Sequence, residues 1–139
     1  MTVTNGKHQP PRIQPHILIV EDDADMRSLL MDELSDAGYR VCQAVDGADG
    51  AQKLSQGFGS DEFDLIITDL KMPRMSGKRL LAIAKERCPA VPVIAITAFA
   101  DEPEFVKSYH TAFFAYLRKP FKMEELKTAV RAALRKEGH

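Results

Sequence analysis

Little in this chain points to a metal site of soft or borderline ligands. There are two cysteines, Cys42 and Cys88, and four histidines, His8, His16, His110 and His139. The cysteines lack ligand spacing and each falls inside a predicted element, so they read as small buried apolar residues in a reducing cytoplasm. None of the scattered histidines falls at the carboxyl end of a predicted strand, which argues against a histidine-held metal, since such sites use paired, spaced ligands. Charge excess is missing too. With 19 basic and 20 acidic residues and a net charge of -1, bulk charge favours neither nucleic acid nor anionic membrane. No segment approaches the ~18–20 apolar residues needed to span a bilayer. Residues 1–15 are polar and proline-rich without the apolar stretch of a secretory signal, and read as a disordered leader. Internal repeats, low-complexity tracts and a P-loop are absent as well. What remains, at 139 residues with 45% hydrophobic and 28% charged content, is one globular domain large enough to bury a core without staples.

The chain is rich instead in short aliphatic runs that end at polar residues. The central one is Phe63-Asp64-Leu65-Ile66-Ile67-Thr68-Asp69, followed by Leu70-Lys71-Met72-Pro73. A near-continuous apolar run reads as a strand buried on both faces, as in a parallel sheet covered by helices. It ends in a carboxylate, Asp69, and Met72-Pro73 stops regular structure. In an open α/β sheet ligands sit outside the carboxyl ends of the strands, which is where Asp69 falls.

The other runs repeat this pattern. Ile17-Leu18-Ile19-Val20 is a strand ending in Glu21-Asp22-Asp23. Met26, Leu29, Leu30, Leu34 and Ala37 then recur at helical spacing, with Asp23 or Asp25 as N-cap and Gly38 as the stop. A second strand covers 39–44 and a second helix about 48–56, with Ala51 and Leu54 on its apolar face. Gly57-Phe58-Gly59-Ser60 is a loop. After the central strand, Ser76 or Gly77 opens a helix carrying Leu80, Leu81, Ile83 and Ala84. A fourth strand runs from Val91 through Ile96 to Thr97. A weaker fourth helix covers about 101–111, with Pro103 tolerated in its first turn. Phe114 to Arg118 is a fifth strand, closed by Lys119-Pro120. The last helix starts near Lys122, with Met123, Leu126, Val130, Ala133 and Leu134 facing the core. Five alternations of strand and helix with right-handed crossovers predict a three-layer, doubly wound α/β fold.

Strands one, three, four and five end in Glu21-Asp22, Asp69, Thr97 and Lys119, which converge on one crevice if the strands are adjacent and parallel. Three crowded carboxylates repel one another and, ionised together, need a cation. Oxygen ligands without His or Cys suit a hard ion, most simply Mg²⁺. Such an ion offsets negative charge while an anionic phosphoryl group approaches. Lys119 supplies a point charge for a phosphoryl oxygen, the Thr97 hydroxyl a donor, and a carboxylate can be the nucleophile that becomes an aspartyl-phosphate. The constellation reads as phosphoryl transfer onto Asp69.

Residues 16–136 resemble the receiver domain of two-component response regulators. The resemblance is carried by Ile17-Leu18-Ile19-Val20-Glu21-Asp22-Asp23, Thr68-Asp69-Leu70-Lys71-Met72-Pro73, Thr97-Ala98 and Tyr116-Leu117-Arg118-Lys119-Pro120-Phe121. Each motif alone is weak, whereas all four in this order and at these separations are specific. The resemblance implies a flavodoxin-like sheet of five parallel strands in the order 2-1-3-4-5 with five helices. It makes Asp69 the phospho-acceptor and Asp22 a direct Mg²⁺ ligand. Glu21 would act largely through water, and the backbone carbonyl of Lys71 would be a further ligand. Thr97 would move towards the phosphoryl group, Tyr116 would rotate inward behind it, and Lys119 would pair with the acyl phosphate across a cis Lys119-Pro120 bond.

It further implies a cytoplasmic signalling switch rather than an enzyme, although one that assists its own phosphoryl transfer and slow autodephosphorylation. The donor would be a histidine kinase or histidine phosphotransfer protein. The signal would pass to a downstream effector protein or domain through the face of the fourth helix, fifth strand and fifth helix. No membrane and no direct nucleic-acid contact is expected of this domain, and a phosphorylation-dependent homodimer is open. Glu137-Gly138-His139 reads as a vector remnant, and either a stand-alone receiver or an excised one fits. The sequence departs from the family pattern at Ala112, where Gly is usual at a left-handed helix end, at the bulky Phe113-Phe114, and in the lengthened loop at 57–60. A rival reading, a phosphatase of the haloacid-dehalogenase type with Asp23-Ala24-Asp25 as its nucleophile motif, meets Arg27 where Thr or Val is expected and leaves Asp69 and Lys119-Pro120 unexplained. A docking domain independent of phosphorylation is weakened because no site residue is missing, and a flavin binder because no Ser/Thr/Gly-rich loop follows the first strand.

The lifetime of the phosphoryl group follows from two further positions. Lys71 and Phe99, each two residues beyond a site residue, border the path of a water in line with the breaking bond. Neither offers a carboxylate or amide to orient that water, so a long-lived phosphoryl group is expected. The double variant Lys71→Asn, Phe99→Glu is expected to lose it roughly tenfold faster, which is ~1.4 kcal/mol of barrier. Equal decay rates in the two proteins would show that these side chains do not gate the water.

Overall fold

Each of the five aliphatic runs forms a strand. The computed structural model describes residues 14–56, 63–70, 77–98 and 113–136. The strands are β1 (His16–Val20), β2 (Arg40–Ala44), β3 (Leu65–Asp69), β4 (Val93–Thr97) and β5 (Ala115–Arg118). They make one parallel sheet in the order β2-β1-β3-β4-β5, as expected of a flavodoxin-like fold. The helices are α1 (Ala24–Asp36), α2 (Gly47–Gln56), α3 (Gly77–Arg87) and α4 (Met123–Lys136), the last being the predicted fifth. The predicted fourth helix lies outside the described residues. So do most of the leader, the loop at 57–60, Lys71, Met72-Pro73, Phe99, Ala112 and the tail at 137–139.

Two cores result from the two-residue alternation of side chains along each strand. Ile17, Ile19, Leu65, Ile67, Ile94 and Ile96 meet Leu30 and Leu34 of α1 and Leu126, Val130, Ala133 and Leu134 of α4. On the other face Leu18, Val20, Ile66, Val93 and Ala95 meet Leu54 of α2 and Leu80, Leu81 and Ala84 of α3. β1, β3 and β4 are buried along their whole length, which accounts for their unbroken aliphatic character.

Local chemistry sets the helix ends. Asp23 caps α1, its Oδ1 accepting from the Asp25 and Met26 amides at 3.0 and 3.5 Å. Gly38, at φ 99°, closes α1 in a Schellman arrangement, with the Tyr39 amide donating to Leu34 O and the Gly38 amide to Ser35 O. Asp46 caps α2 by accepting from the Asp49 amide at 2.8 Å, and the Asp49 carboxylate reaches back to the Val45 amide at 3.0 Å. Gly50 lets α2 lie close to β1, since a Cβ there would be 3.0 Å from a Val20 methyl.

Several boundaries and faces differ from those predicted. Leu29 is 46% exposed and Ala37 is exposed too. Met31 packs against the core instead, which turns the buried stripe of α1 away from Leu29. Val91-Pro92 precedes β4, because the Val91 amide closes a turn onto Cys88 O at 3.0 Å. Phe63-Asp64 likewise precedes β3. Asp64 Oδ2 accepts from the His16 amide at 2.8 Å and the Asp64 amide donates to His16 O at 2.7 Å. This tie starts β1 and β3 together at the end of the sheet remote from Asp69. Cys42 and Cys88, neither in a disulfide, are half-buried at the margin of the second core, not fully buried. No helix among the described residues is long and apolar enough to cross a membrane.

Gly38→Ala tests the end of α1. A Cβ there would meet nothing within 4 Å, so the cost is conformational, about 1–2 kcal/mol. Urea denaturation measures it, and unchanged stability would contradict the left-handed turn.

Candidate functional site at the carboxyl ends of the strands

The parallel register brings the predicted residues to one rim. Val20 pairs with Thr68, so Glu21, one residue on, stands level with Asp69. The Glu21 amide extends the ladder to Ala44 O at 3.1 Å. Thr97 pairs with Arg118, and the next amide, that of Lys119, donates to Thr97 O at 2.8 Å. Parity then sorts the side chains. Glu21 and Asp69 continue the face that packs on α1 and α4. Thr97 continues the face of Val93 and Ala95 towards α2 and α3, where Tyr116 also packs, half-buried.

Glu21 is fully buried, Asp69 and Thr97 are buried, and Asp22 is exposed. One carboxylate oxygen each from Glu21, Asp22 and Asp69 lie within 4.8 Å of one another. Lys119 reaches in from the turn after β5, where the Lys119-Pro120 bond is cis as expected. Its Nζ donates to Asp69 Oδ2 at 2.7 Å and lies 3.2 Å from Glu21 Oε1. The second contact is an ion pair without hydrogen-bond alignment, which leaves the buried Oε1 without a hydrogen-bond partner. Glu21 Oε2 accepts from the Asp23 amide at 3.1 Å.

Burial pushes the Glu21 carboxyl above its usual range, and Asp69 adds to the rise against the lowering effects of the Asp23 amide and Lys119. Burial alone would pull Lys119 down, but its hydrogen bond to Asp69 and the charges of Asp69 and Glu21 outweigh it, so its value is raised. The ammonium is therefore held charged against the two buried carboxylates.

Three carboxylates crowded around a rim, one with a buried oxygen that no donor satisfies, fit a hard divalent cation. The Lys71 carbonyl expected to join them lies outside the described residues. Asp23, the nucleophile of the rival phosphatase reading, is committed to capping α1. Asp46 is a further buried carboxylate after β2, used to cap α2. One residue of the site was not anticipated. Arg27 Nη1 donates to Glu21 O at 2.8 Å and its Nε to Gln43 Oε1 at 3.1 Å. Its position one turn into α1 gives no sign of this in the sequence.

The model of the response regulator receiver domain family matches residues 17–131. The chain belongs to that family, the receiver domains of two-component response regulators. Among curated relatives it is 35% identical over 119 residues to the transcriptional regulatory protein GlrR of Escherichia coli, matching 86% of this chain and 26% of that protein. It is also 40% identical over 119 residues to the sensor histidine kinase TmoS of Ectopseudomonas mendocina, matching 84% of this chain and 12% of that one. The chain thus spans only about a quarter of the first relative and an eighth of the second. A receiver domain protein from Clostridium thermocellum has a similar structure, with a TM-score of 0.80 at 27% identity, covering 89% of this chain and 97% of that one. The response regulator TrrA from Thermotoga maritima, solved in complex with Mg²⁺-BeF, gives a TM-score of 0.75 at 29% identity and covers 87% of this chain and 100% of that one.

The raised Glu21 value predicts a pH signature. A folded value above the unfolded one contributes stability that is fully present below the unfolded carboxylate value, about 4.5, and is lost as pH rises through the folded value. In a chelating buffer Glu21→Gln, which removes the buried charge, is expected to melt higher than the parent near neutral pH. The two should converge as pH falls towards 4. Thermal melts across that range check it, and a gap that widens in acid would contradict the buried charge.

Proposed function

We propose that this receiver is a phospho-accepting switch in which Asp69 takes a phosphoryl group from a partner phosphohistidine. The observation that carries the reading is the 2.7 Å contact of Lys119 Nζ with Asp69 Oδ2 at the carboxyl end of a buried strand. A cation held there would meet the oxygen of a transferred phosphoryl group. An oxygen of the Asp69 carboxylate attacks phosphorus. A P–O bond forms as the P–N bond breaks, and the electron pair stays with the imidazole nitrogen, which takes up a proton. Mg²⁺ would be held by Asp22, Asp69 and the Lys71 carbonyl, with Glu21 acting largely through water, and would supply charge neutralisation for the crowded oxygens. The TrrA complex with Mg²⁺-BeF and the acidic cluster here support that choice of ion.

Thr97, one residue beyond Ile96, the partner of Asp69 in the register, donates its hydroxyl to the new phosphoryl group. Tyr116 packs on the same face of the sheet as Thr97 and would pass the change to the face built on the predicted fourth helix, β5 and α4, the predicted fifth. The domain would occupy 16–136, act in the cytoplasm and be no enzyme on a separate substrate. Its donor would be a histidine kinase or phosphotransfer protein, and its effector a further protein or domain, with homodimerisation on phosphorylation open. The sensor kinase and transcriptional regulators among its relatives support partners of these two kinds.

Incubation with Mg²⁺ and acetyl phosphate is expected to add one acid-stable, base-labile phosphoryl group. Asp69→Asn or chelation should abolish it, read by intact-protein mass spectrometry. Equal labelling of the Asp69→Asn protein would sink the reading.

A further inference from the structure

The segment carrying Glu21 and Asp22 is clamped from behind by a residue outside the acidic cluster. Arg27, half-buried on α1, donates to the Glu21 carbonyl at 2.8 Å and to the Gln43 side chain of β2 at 3.1 Å. The Glu21 amide is held by Ala44 O and its Oε2 by the Asp23 amide, each at 3.1 Å. Glu21 Oε1 alone among these polar atoms lacks a hydrogen bond. The Glu21 carbonyl and the Asp22 amide share one rigid peptide plane. Fixing that oxygen therefore fixes how the chain leaves β1, and with it the direction of the exposed Asp22 carboxylate. Gln43 in turn orients the guanidinium, whose planar fork can serve both acceptors at once.

We infer that Arg27 is a positioning residue for the acidic cluster, holding the Glu21-Asp22 peptide against β2 so that both carboxylates keep the spacing a divalent cation needs. This rests on reading the cluster as a Mg²⁺ site. The sign of the effect separates positioning from simple charge. A guanidinium bonded to the Glu21 carbonyl repels an incoming cation, so on charge alone its removal tightens Mg²⁺ binding. Positioning demands the reverse, because groups that orient metal ligands typically contribute 10–100-fold in affinity.

The experiment is calorimetric titration of Mg²⁺ into the parent, Arg27→Ala, Arg27→Lys and Gln43→Ala, at a temperature where each is folded. Arg27→Ala is expected to bind about tenfold more weakly, at the lower end of that range. Arg27→Lys keeps a donor for the Glu21 carbonyl and should recover most of the loss. Unchanged or tighter binding by a folded Arg27→Ala overturns the inference, since a role in stability alone leaves the affinity of the folded protein untouched. If Arg27→Ala does not fold, Gln43→Ala decides: about threefold weakening, part of the same contribution, supports the inference and parental affinity overturns it. A parent that binds no Mg²⁺ at millimolar concentration overturns the metal reading and this inference with it, whereas a binding parent with an equally binding Arg27→Ala overturns this inference alone.

Discussion

Two carboxylates, buried side by side at the ends of neighbouring strands, are the constraint to which the rim of this sheet answers. Neither Glu21 nor Asp69 can be hydrated as a free carboxylate is, and a buried charge without a partner is costly enough to unfold a small domain or to hold a proton. Lys119 meets both, at 2.7 Å from Asp69 and 3.2 Å from Glu21. Removing one member of a buried pair typically costs on the order of 3–5 kcal/mol. The Lys119 side chain is 23% exposed, so solvent screening lowers that figure here. Among the described residues, one ammonium, that of Lys119, against the three carboxylates of the cluster leaves the rim net negative. That residual charge, rather than any one ligand, makes the site receptive to a cation.

The sheet delivers these groups without any of them being near another in sequence. Parallel strands in the order β2-β1-β3-β4-β5 all end at the same edge, and the register is set at the other edge, where His16 and Asp64 exchange two hydrogen bonds. Strand parity divides the labour between the faces. Glu21 and Asp69 follow the α1–α4 face, whereas Thr97 and Tyr116 follow the α2–α3 face. On the proposed function, a phosphoryl group on Asp69 would therefore meet Thr97 over the rim of the sheet rather than through its packed centre. Interiors at crystal-like density do not deform continuously, and a rim contact spares the core from having to do so.

The strand ends were legible in the sequence because a fully buried strand is mostly aliphatic and the first carboxylate after the run marks where the strand ends. Val20 to Glu21 and Ile67 to Asp69 are such transitions. The strand starts were less legible. Val91-Pro92 and Phe63-Asp64 are apolar enough to be strand, and only the turn onto Cys88 and the tie to His16 exclude them. The face of α1 was misjudged at Leu29 for a related reason: Met31 and Leu29 flank Leu30 on opposite sides of the helix, and hydrophobicity alone does not say which flank the sheet covers. Of the site, the carboxylates, threonine and lysine announce themselves by chemical type and place. Arg27 does not, because its partner is a backbone oxygen, and a carbonyl carries no residue signature.

That asymmetry bears on how the cluster is held. Glu21 is gripped at its amide by β2, at its carbonyl by α1 and at one carboxylate oxygen by the helix cap residue Asp23. Each grip is a single ordinary hydrogen bond, contributing about 0.5–1.5 kcal/mol net, or more where a charge takes part. Together they leave one oxygen at the rim with only the ion pair to Lys119. Preorganisation of this kind moves the cost of crowding like charges from the moment of binding into the fold. The aliphatic packing of β1 and β3 between two helical layers supplies the stability to carry it. The same sheet that buries its core on both faces can therefore afford a negatively charged rim, and a three-layer fold is well suited to a site made of mutually repelling groups.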